Sequence, residues 1–418
     1  MALSDEEKLN LDYQAKQVFT PATAVDERDL FAGRLAQIDQ VIAILSQRGQ
    51  HAIIFGERGV GKTSFANVIT RFLLTPTSVI KPHINCKTND SFTDIWKRVF
   101  SQVECSREKQ TAGFQNADAS DKFTMADTFI NPHAPDRYEI APDQVEAALE
   151  RLVDAGSFVV VILDEFDRIK NKDVQREIAD LIKSMSDRGH RAKLLVVGVA
   201  DTVTDLIAEH QSVERALIQI PMPRMSVTEL EEIVKKALPR LQMTIDDGAL
   251  NRICLFSRGF PHYTHKLALY AALAAIEQGE RHIGLAHVAM AINKTVNDAQ
   301  HTQTAGYVKA TSSPRPDNLY RHVLLACALA ITNELGYFAA SAVSVPLSKI
   351  MGKSYAVPSF AHHLKEFCDP SRGPILEKTG DKYNVKFRFS NPMMQPFVVM
   401  KGFADGLWKP IDSAEATS

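Results

Sequence analysis

Apolar positions along residues 50–222 fall into two registers. Continuous apolar runs at 52–55 and 158–163 read as strands buried on both faces, and the largely apolar stretches 193–199, 217–220 and 79–86 read as further strands. Between them the apolar spacing changes to three and four, which predicts helices at 35–47, 65–74, 91–103, 143–155 and 173–188. In the third of these, Phe92, Ile95, Trp96, Val99 and Phe100 share one face. Gly156 supplies a helix stop, and Asp167 is placed to cap the helix that follows the 158–163 strand. Strand and helix signals that alternate in this way demand a doubly wound, mostly parallel α/β sheet.

From 226 to 299 the strand signal disappears and helical spacing takes over, at 227–240, 248–257, 263–278 and 283–297. Ser226 with Glu229 three residues on is a capping box for the first of these. The stretch 301–316, rich in Thr, Ser and Pro, predicts an interdomain linker. Asp317 then caps a long apolar helix over 319–335, followed by shorter helices at 341–350 and 359–367 and a hairpin, 375–378 with 383–389, around a turn at 379–382. Helix, helix, helix, hairpin is the order of a winged helix. Residues 105–141 are polar and aperiodic and read as an insertion or long surface loop. The ends, 1–16 and 406–418, read as tails, the first of them a frayed or loosely helical one.

The chain of 418 residues is too long for one core, and 45% apolar with 23% charged residues is a globular composition. A net charge of −2 excludes a global basic field, so nucleic-acid contact would need a local patch. Five scattered cysteines without a C-x-x-C pair read as free thiols in a reducing compartment. The acidic N-terminus has no apolar signal core and no apolar run nears membrane length, so a cytoplasmic protein without membrane contact is expected.

The chemistry concentrates at Gly56-Glu57-Arg58-Gly59-Val60-Gly61-Lys62-Thr63, with Ser64 following: the G-x-x-x-x-G-K-[ST] pattern between a strand and a helix. Glycines let successive N–H groups turn toward phosphate oxygens, Lys62 adds a point charge, and the Thr63 hydroxyl suits Mg²⁺. The run 158–163 ends in Asp164-Glu165, carboxylates at the strand end where an α/β sheet places its ligand. Asp164 would orient hydrated Mg²⁺, and Glu165 would act as general base toward water. A polar side chain at the end of 193–199, Asp201, is placed to reach the γ-phosphate. Phe31, in Phe-Ala-Gly-Arg ahead of the loop, either lines an adenine pocket or packs under the sheet; spacing does not separate the two.

The phosphate loop, VVVILDE, VVGVAD and HQSVERAL occur in the order seen in AAA+ ATPases. FAGR before the loop and DEFDRI after the third strand resemble the origin-recognition initiator ATPases and their bacterial relatives. The resemblance implies ATP and Mg²⁺ as ligands and a homo-oligomer or AAA+ neighbour. It also implies a core over 17–225, a helical lid over 226–300 and a winged helix over 317–405. It assigns an arginine finger to Arg215 and a γ-phosphate sensor to Asp201, where the family usually has Asn. The family's second sensing arginine is replaced by His262. Between 317 and 402, ten Lys/Arg against six Asp/Glu leave a net +4. Lys378, Lys382, Lys386 and Arg388 on the expected wing suit phosphate contacts with double-stranded DNA. A nucleotide switch that gates a protein partner is the second reading.

Overall fold

The computed structural model describes residues 3–21, 33–72, 79–108, 120–124, 139–200, 213, 215–315, 318–381 and 384–410. These form two compact units: one holds 35–56 and 62–222, the other 1–34, 57–61 and 223–418.

The chain begins with a helix, α1 (Asp5–Val18), where the polar composition predicts a loose tail. Ser4 and Glu7 close a capping box at its start, and Leu11 and Ala15 are buried. Lys8 Nζ donates to the Glu277 carbonyl and Leu3 N–H to the Gly279 carbonyl, so the helix docks on a later one. Its mean polarity hides this, because two buried side chains and a sound cap suffice once a partner surface exists.

The first unit is the predicted parallel sheet. It contains α2 (Leu35–Ser46), β1 (His51–Gly56), α3 (Lys62–Phe72), β2 (Val79–Ile80), β3 (His83–Asn85) and α4 (Phe92–Ser101). Then come β4 (Glu104–Glu108), β5 (Ser120–Thr124), α5 (Pro142–Asp154), β6 (Phe158–Asp164), α6 (Lys172–Asp187), β7 (Lys193–Val199) and β8 (Leu217–Pro221). Strand order is β2-β6-β7-β1-β8, with β3 also on β6, and every pairing in this sheet is parallel. β1 runs between two neighbours and all six of its residues are buried. The expected single strand over 79–86 is instead two pieces, split at Lys81-Pro82. Proline offers no N–H to a ladder; here its carbonyl still accepts from Ile162 N–H at 2.9 Å. Phe92, Ile95, Trp96, Val99 and Phe100 of α4 are all buried in the core, as their spacing requires. α6 is capped by Asn171, not Asp167, whose carboxylate accepts the Val199 N–H at 2.8 Å. In the predicted insertion, β4 and β5 pair antiparallel over five positions each.

The second unit carries α7 (Val227–Ala237), β9 (Thr244–Ile245), α8 (Asp247–Ser257), α9 (Pro261–Glu277), β10 (His282–Ile283) and α10 (Leu285–Asn297). The Ser226–Glu229 capping box is present. The predicted linker is a helix, α11 (His301–Thr311). Tyr307, Ala310 and Thr311 are buried on it, and the Tyr307 ring stands edge-on to Phe397 at 6.0 Å. Arg372 Nη1 donates to the carbonyls of Ala310 and Ser312 at its end. Packing and a borrowed cap outweigh a Thr-rich composition. The remaining elements are α12 (Tyr320–Leu329), β11 (Phe338–Ala339), α13 (Ala340–Met351), α14 (Ala361–Phe367), β12 (Leu376–Thr379), β13 (Lys386–Phe389) and α15 (Met394–Ala404). α12 stops short of the expected Leu335. Asn333 folds the following residues into a turn, its side chain accepting from Leu335 N–H and Tyr337 N–H at 3.1 and 2.9 Å. β11, β13 and β12 form one antiparallel sheet.

Candidate functional site

β1 delivers the chain into the glycine-rich loop and α3 leaves it at Lys62. Gly59 and Gly61 hold φ of +89° and +97°, a backbone region that side-chain-bearing residues avoid, and this lets neighbouring amides converge on one side. Lys62 is buried and its Nζ donates to the Gly56 carbonyl at 3.0 Å.

Asp164, the last residue of β6, is buried. Its Oδ1 accepts the Glu165 N–H at 2.8 Å. Its Oδ2 lies 3.4 Å from His83 Nε2, yet both atoms are without a well-formed hydrogen bond. Burial pushes the carboxyl pKa up. The His83 ring, the Glu165 N–H and the Thr63 hydroxyl together outweigh burial and hold it below the usual carboxylate value. A buried, ionised carboxylate with one oxygen uncommitted, next to a threonine hydroxyl, is a fitting donor set for Mg²⁺. That ion takes one or two protein oxygens and fills its shell with water and phosphate. Among the described residues no group of three or more His, Cys, Asp or Glu is placed to cage a metal alone.

Glu165 sits at φ 53°, left-handed backbone that a non-glycine residue adopts at a cost of about 1–2 kcal/mol. The turn swings its side chain away from Asp164 to pair with Arg168 Nη1 at 2.7 Å, half-exposed. Two carboxylates adjacent in sequence thus have different surroundings: one buried and fixed, one solvated and able to swing.

The loop residues 57–61 belong to the other unit. Arg34 is buried there, with φ 65°. Its Nη2 donates to the carbonyls of Val60 and Pro223 at 3.1 and 2.6 Å, and burial pulls its pKa down against the pull of Glu229. Glu57, expected among the phosphate-binding residues, turns its carboxylate into a two-point pair with Arg224, at 2.6 and 3.0 Å. Arg258 is partly buried, its pKa pushed down to about 10 by desolvation and by Arg224. His262, a candidate sensor, donates through Nδ1 to the Pro21 carbonyl at 2.7 Å, and burial lowers its pKa. It is engaged in packing rather than presented to a ligand. Arg58 and Thr63 are exposed, as is Arg215 in the turn before β8. Phe31, Asp201 and Lys382 lie outside the described residues. On the hairpin, Lys378 is exposed and Lys386 partly so, while Arg388 is paired with Glu377 and stacked 4.5 Å over Tyr337. His83 and Arg224 were not legible as site residues: a histidine on a short strand and an arginine after a proline carry no motif, whereas Arg34 ends the FAGR stretch noted in the sequence.

A parallel sheet with a glycine-rich loop after β1 and a carboxylate at the end of β6 is the arrangement of a P-loop nucleotide-binding domain. Residues 45–206 match the family model described as AAA domain. Beyond that domain the chain resembles origin-recognition initiators. It is 26% identical over 259 residues to an ORC1-type DNA replication protein of Thermoplasma volcanium, covering 60% of this chain and 57% of that protein. An ORC1-type DNA replication protein of Methanoculleus marisnigri is 25% identical over 260 residues, 59% of this chain and 53% of that one. The matches thus span little more than half the length of these relatives. The solved ADPNP–ADP complexes of the Aeropyrum pernix ORC2 protein share the fold, with a TM-score of 0.51 at 15% identity over 96% of this chain and 99% of that one.

Proposed function

We propose that this protein binds ATP with Mg²⁺ and hydrolyses it as an AAA+ switch that acts on double-stranded DNA. The observation that carries the nucleotide reading is Asp164: buried, held ionised, with Oδ2 uncommitted, in the unit that also holds Lys62 and Thr63. Lys62 would leave the Gly56 carbonyl for the phosphates, and Thr63 and Asp164 would hold the metal. Mg²⁺, when bound, supplies charge neutralisation on the phosphate oxygens. Glu165 would leave Arg168 and accept a proton from the attacking water. An exposed Arg215 is suited to complete a neighbour's site, where such a finger contributes roughly 10³–10⁵ in rate.

Two things support DNA as the target: the relatives are DNA replication proteins, and the C-terminal element order is one we read as a winged helix. Lys378 and Lys386, with Lys382, would contact phosphates. One observation favours the second reading, a switch that gates a protein partner. Part of the basic surface is already paired, Arg388 with Glu377 and Arg372 with Glu366. Turnover measured against protein concentration, with and without duplex DNA, separates them. Acceleration by DNA supports the first reading, and turnover indifferent to DNA supports the second. Absence of ATP uptake in Mg²⁺ overturns both.

A further inference from the structure

Glu366 is the one acid on α14, and three side chains enclose its carboxylate. Oε2 accepts from the Tyr320 hydroxyl and from Arg372 Nε, the latter at 2.9 Å, and His362 Nε2 lies 2.8 Å from Oε1. The Tyr320 hydroxyl first, then His362 and Arg372, hold the carboxyl below its usual pKa against burial, so it carries its charge. Among the described residues Arg372 is the only lysine or arginine paired with it. Arg372 is itself fixed from other sides. Its guanidinium lies 3.8 Å over the Tyr320 ring, and its Nη1 donates to the carbonyls of Ala310 and Ser312 at 3.0 and 3.1 Å. Those carbonyls lie at the end of α11, where a helix presents unpaired acceptors and partial negative charge, so a cation is doubly favoured there. The loop that carries Arg372 is seated on α11 in return. Lys309 Nζ donates to the Pro370 carbonyl at 3.5 Å, and a Cβ on Gly373, at φ 60°, would stand 3.0 Å from Lys309 Cδ. Arg372 is thus spent within the protein. On α14 it leaves Lys365 exposed, one residue before the carboxylate it holds.

We propose that Arg372 is a positioning residue for duplex DNA that acts through Glu366: it cancels and holds back the one carboxylate of α14, so that Lys365 meets a phosphate unopposed. The proposal rests on the DNA reading above and extends it from the hairpin to α14. Like charges juxtaposed across an interface repel, so a free carboxylate beside Lys365 would take back what that lysine contributes. An arginine committed to the carboxylate removes the repulsion, and its hold on the end of α11 keeps it from moving to the phosphates instead. Tyr320 adds a neutral donor to the same oxygen. The planar fork of an arginine spans the carboxylate and two helix-end carbonyls together, which the point charge of a lysine does not.

The test is duplex DNA affinity, by fluorescence anisotropy at fixed salt, for Arg372→Ala, Glu366→Gln and the double variant of the full chain, each checked for folding by thermal melting. Arg372→Ala is expected to weaken binding by roughly tenfold. Glu366→Gln is expected to bind at least as well as wild type, and in its background Arg372→Ala is expected to change affinity by no more than about twofold. An arginine needed only for packing would weaken binding by the same factor in both backgrounds, and that result overturns the proposal. If Arg372→Ala does not fold, Lys365→Ala decides, since it changes an exposed side chain. It should lower the logarithmic salt slope by about 0.9, the worth of one phosphate contact, and an unchanged slope overturns the proposal. A wild type that binds DNA with an affinity indifferent to Arg372→Ala overturns the role of Arg372 alone. A wild type that binds no duplex DNA overturns the DNA reading as well.

Discussion

The Lys62 ammonium donates to the Gly56 carbonyl at 3.0 Å, closing the loop on itself across six residues. A buried lysine needs hydrogen-bond partners, and this carbonyl accepts from it. Lys62→Ala removes the only residue in the loop that brings a full positive charge from a buried position. We expect ATP binding to fall at least a hundredfold in equilibrium titrations with Mg²⁺, with the thermal melt little changed. Unaltered affinity would remove this loop from the function.

Glu165→Gln keeps the size of the side chain and its contact with Arg168, and removes the base. ATP should bind as in the wild type while turnover falls by about 10²–10⁴, the usual contribution of a positioned base. Single-turnover measurements with excess protein decide it, since they isolate chemistry from assembly. Normal turnover would exclude Glu165 as the base.

His83 stands beside the uncommitted oxygen of Asp164. Partners of a metal-holding group commonly affect metal affinity by about 10–100-fold. His83→Ala should therefore raise the Mg²⁺ concentration needed for half-maximal ATP binding by roughly tenfold, while affinity at saturating Mg²⁺ is preserved. An identical Mg²⁺ midpoint would reduce His83 to a packing residue.

His51, at the start of β1, is fully buried and its Nδ1 accepts the Leu194 N–H at 3.1 Å. Burial, with Lys193 and His190 nearby, pushes its pKa down to about 3. The unfolded chain binds this proton near pH 6.5 and the folded chain does not. Stability should therefore be full above about pH 6.5 and fall as pH drops toward 3, by at most about 1.4 kcal/mol per pH unit for this group. His265, pushed down to about 4 by burial, adds a loss of the same sign. Thermal melts of wild type and His51→Gln across pH 7 to 4 test this. The variant's melt should depend less on pH, and parallel curves would contradict the assignment.

If the hairpin contacts duplex DNA, Lys378→Glu with Lys386→Glu should weaken binding and flatten its salt dependence by nearly two in the logarithmic slope. The same change at Arg388 should do less, since Glu377 already holds it. A salt titration in which the double variant matches wild type would point to a protein partner.

The parallel sheet was legible because strands buried on both faces leave continuous apolar runs, and 158–163 and 193–199 fall within β6 and β7. The α4 face was legible because five large apolar residues recur at helical spacing. The strand over 79–86 misled, since apolar content does not reveal that Pro82 interrupts a ladder. The stretch 301–316 misled more, because its composition is that of a linker and its helix exists through what packs on it.

The sequence by itself carries the pattern from which the candidate site is read. A phosphate loop needs glycines, a lysine and a hydroxyl at fixed spacing along one turn of chain, and a local constraint of that kind is written locally. It equally settles that a carboxylate pair follows a buried strand. Only the tertiary structure decides that Asp164 is buried with one oxygen uncommitted while Glu165 is turned out to Arg168. It alone puts His83 beside Asp164, and brings Arg224 to Glu57. Those relations depend on strand order and on contacts between distant segments. No spacing along the chain encodes them, because the residues meet only when apolar burial has packed their elements together.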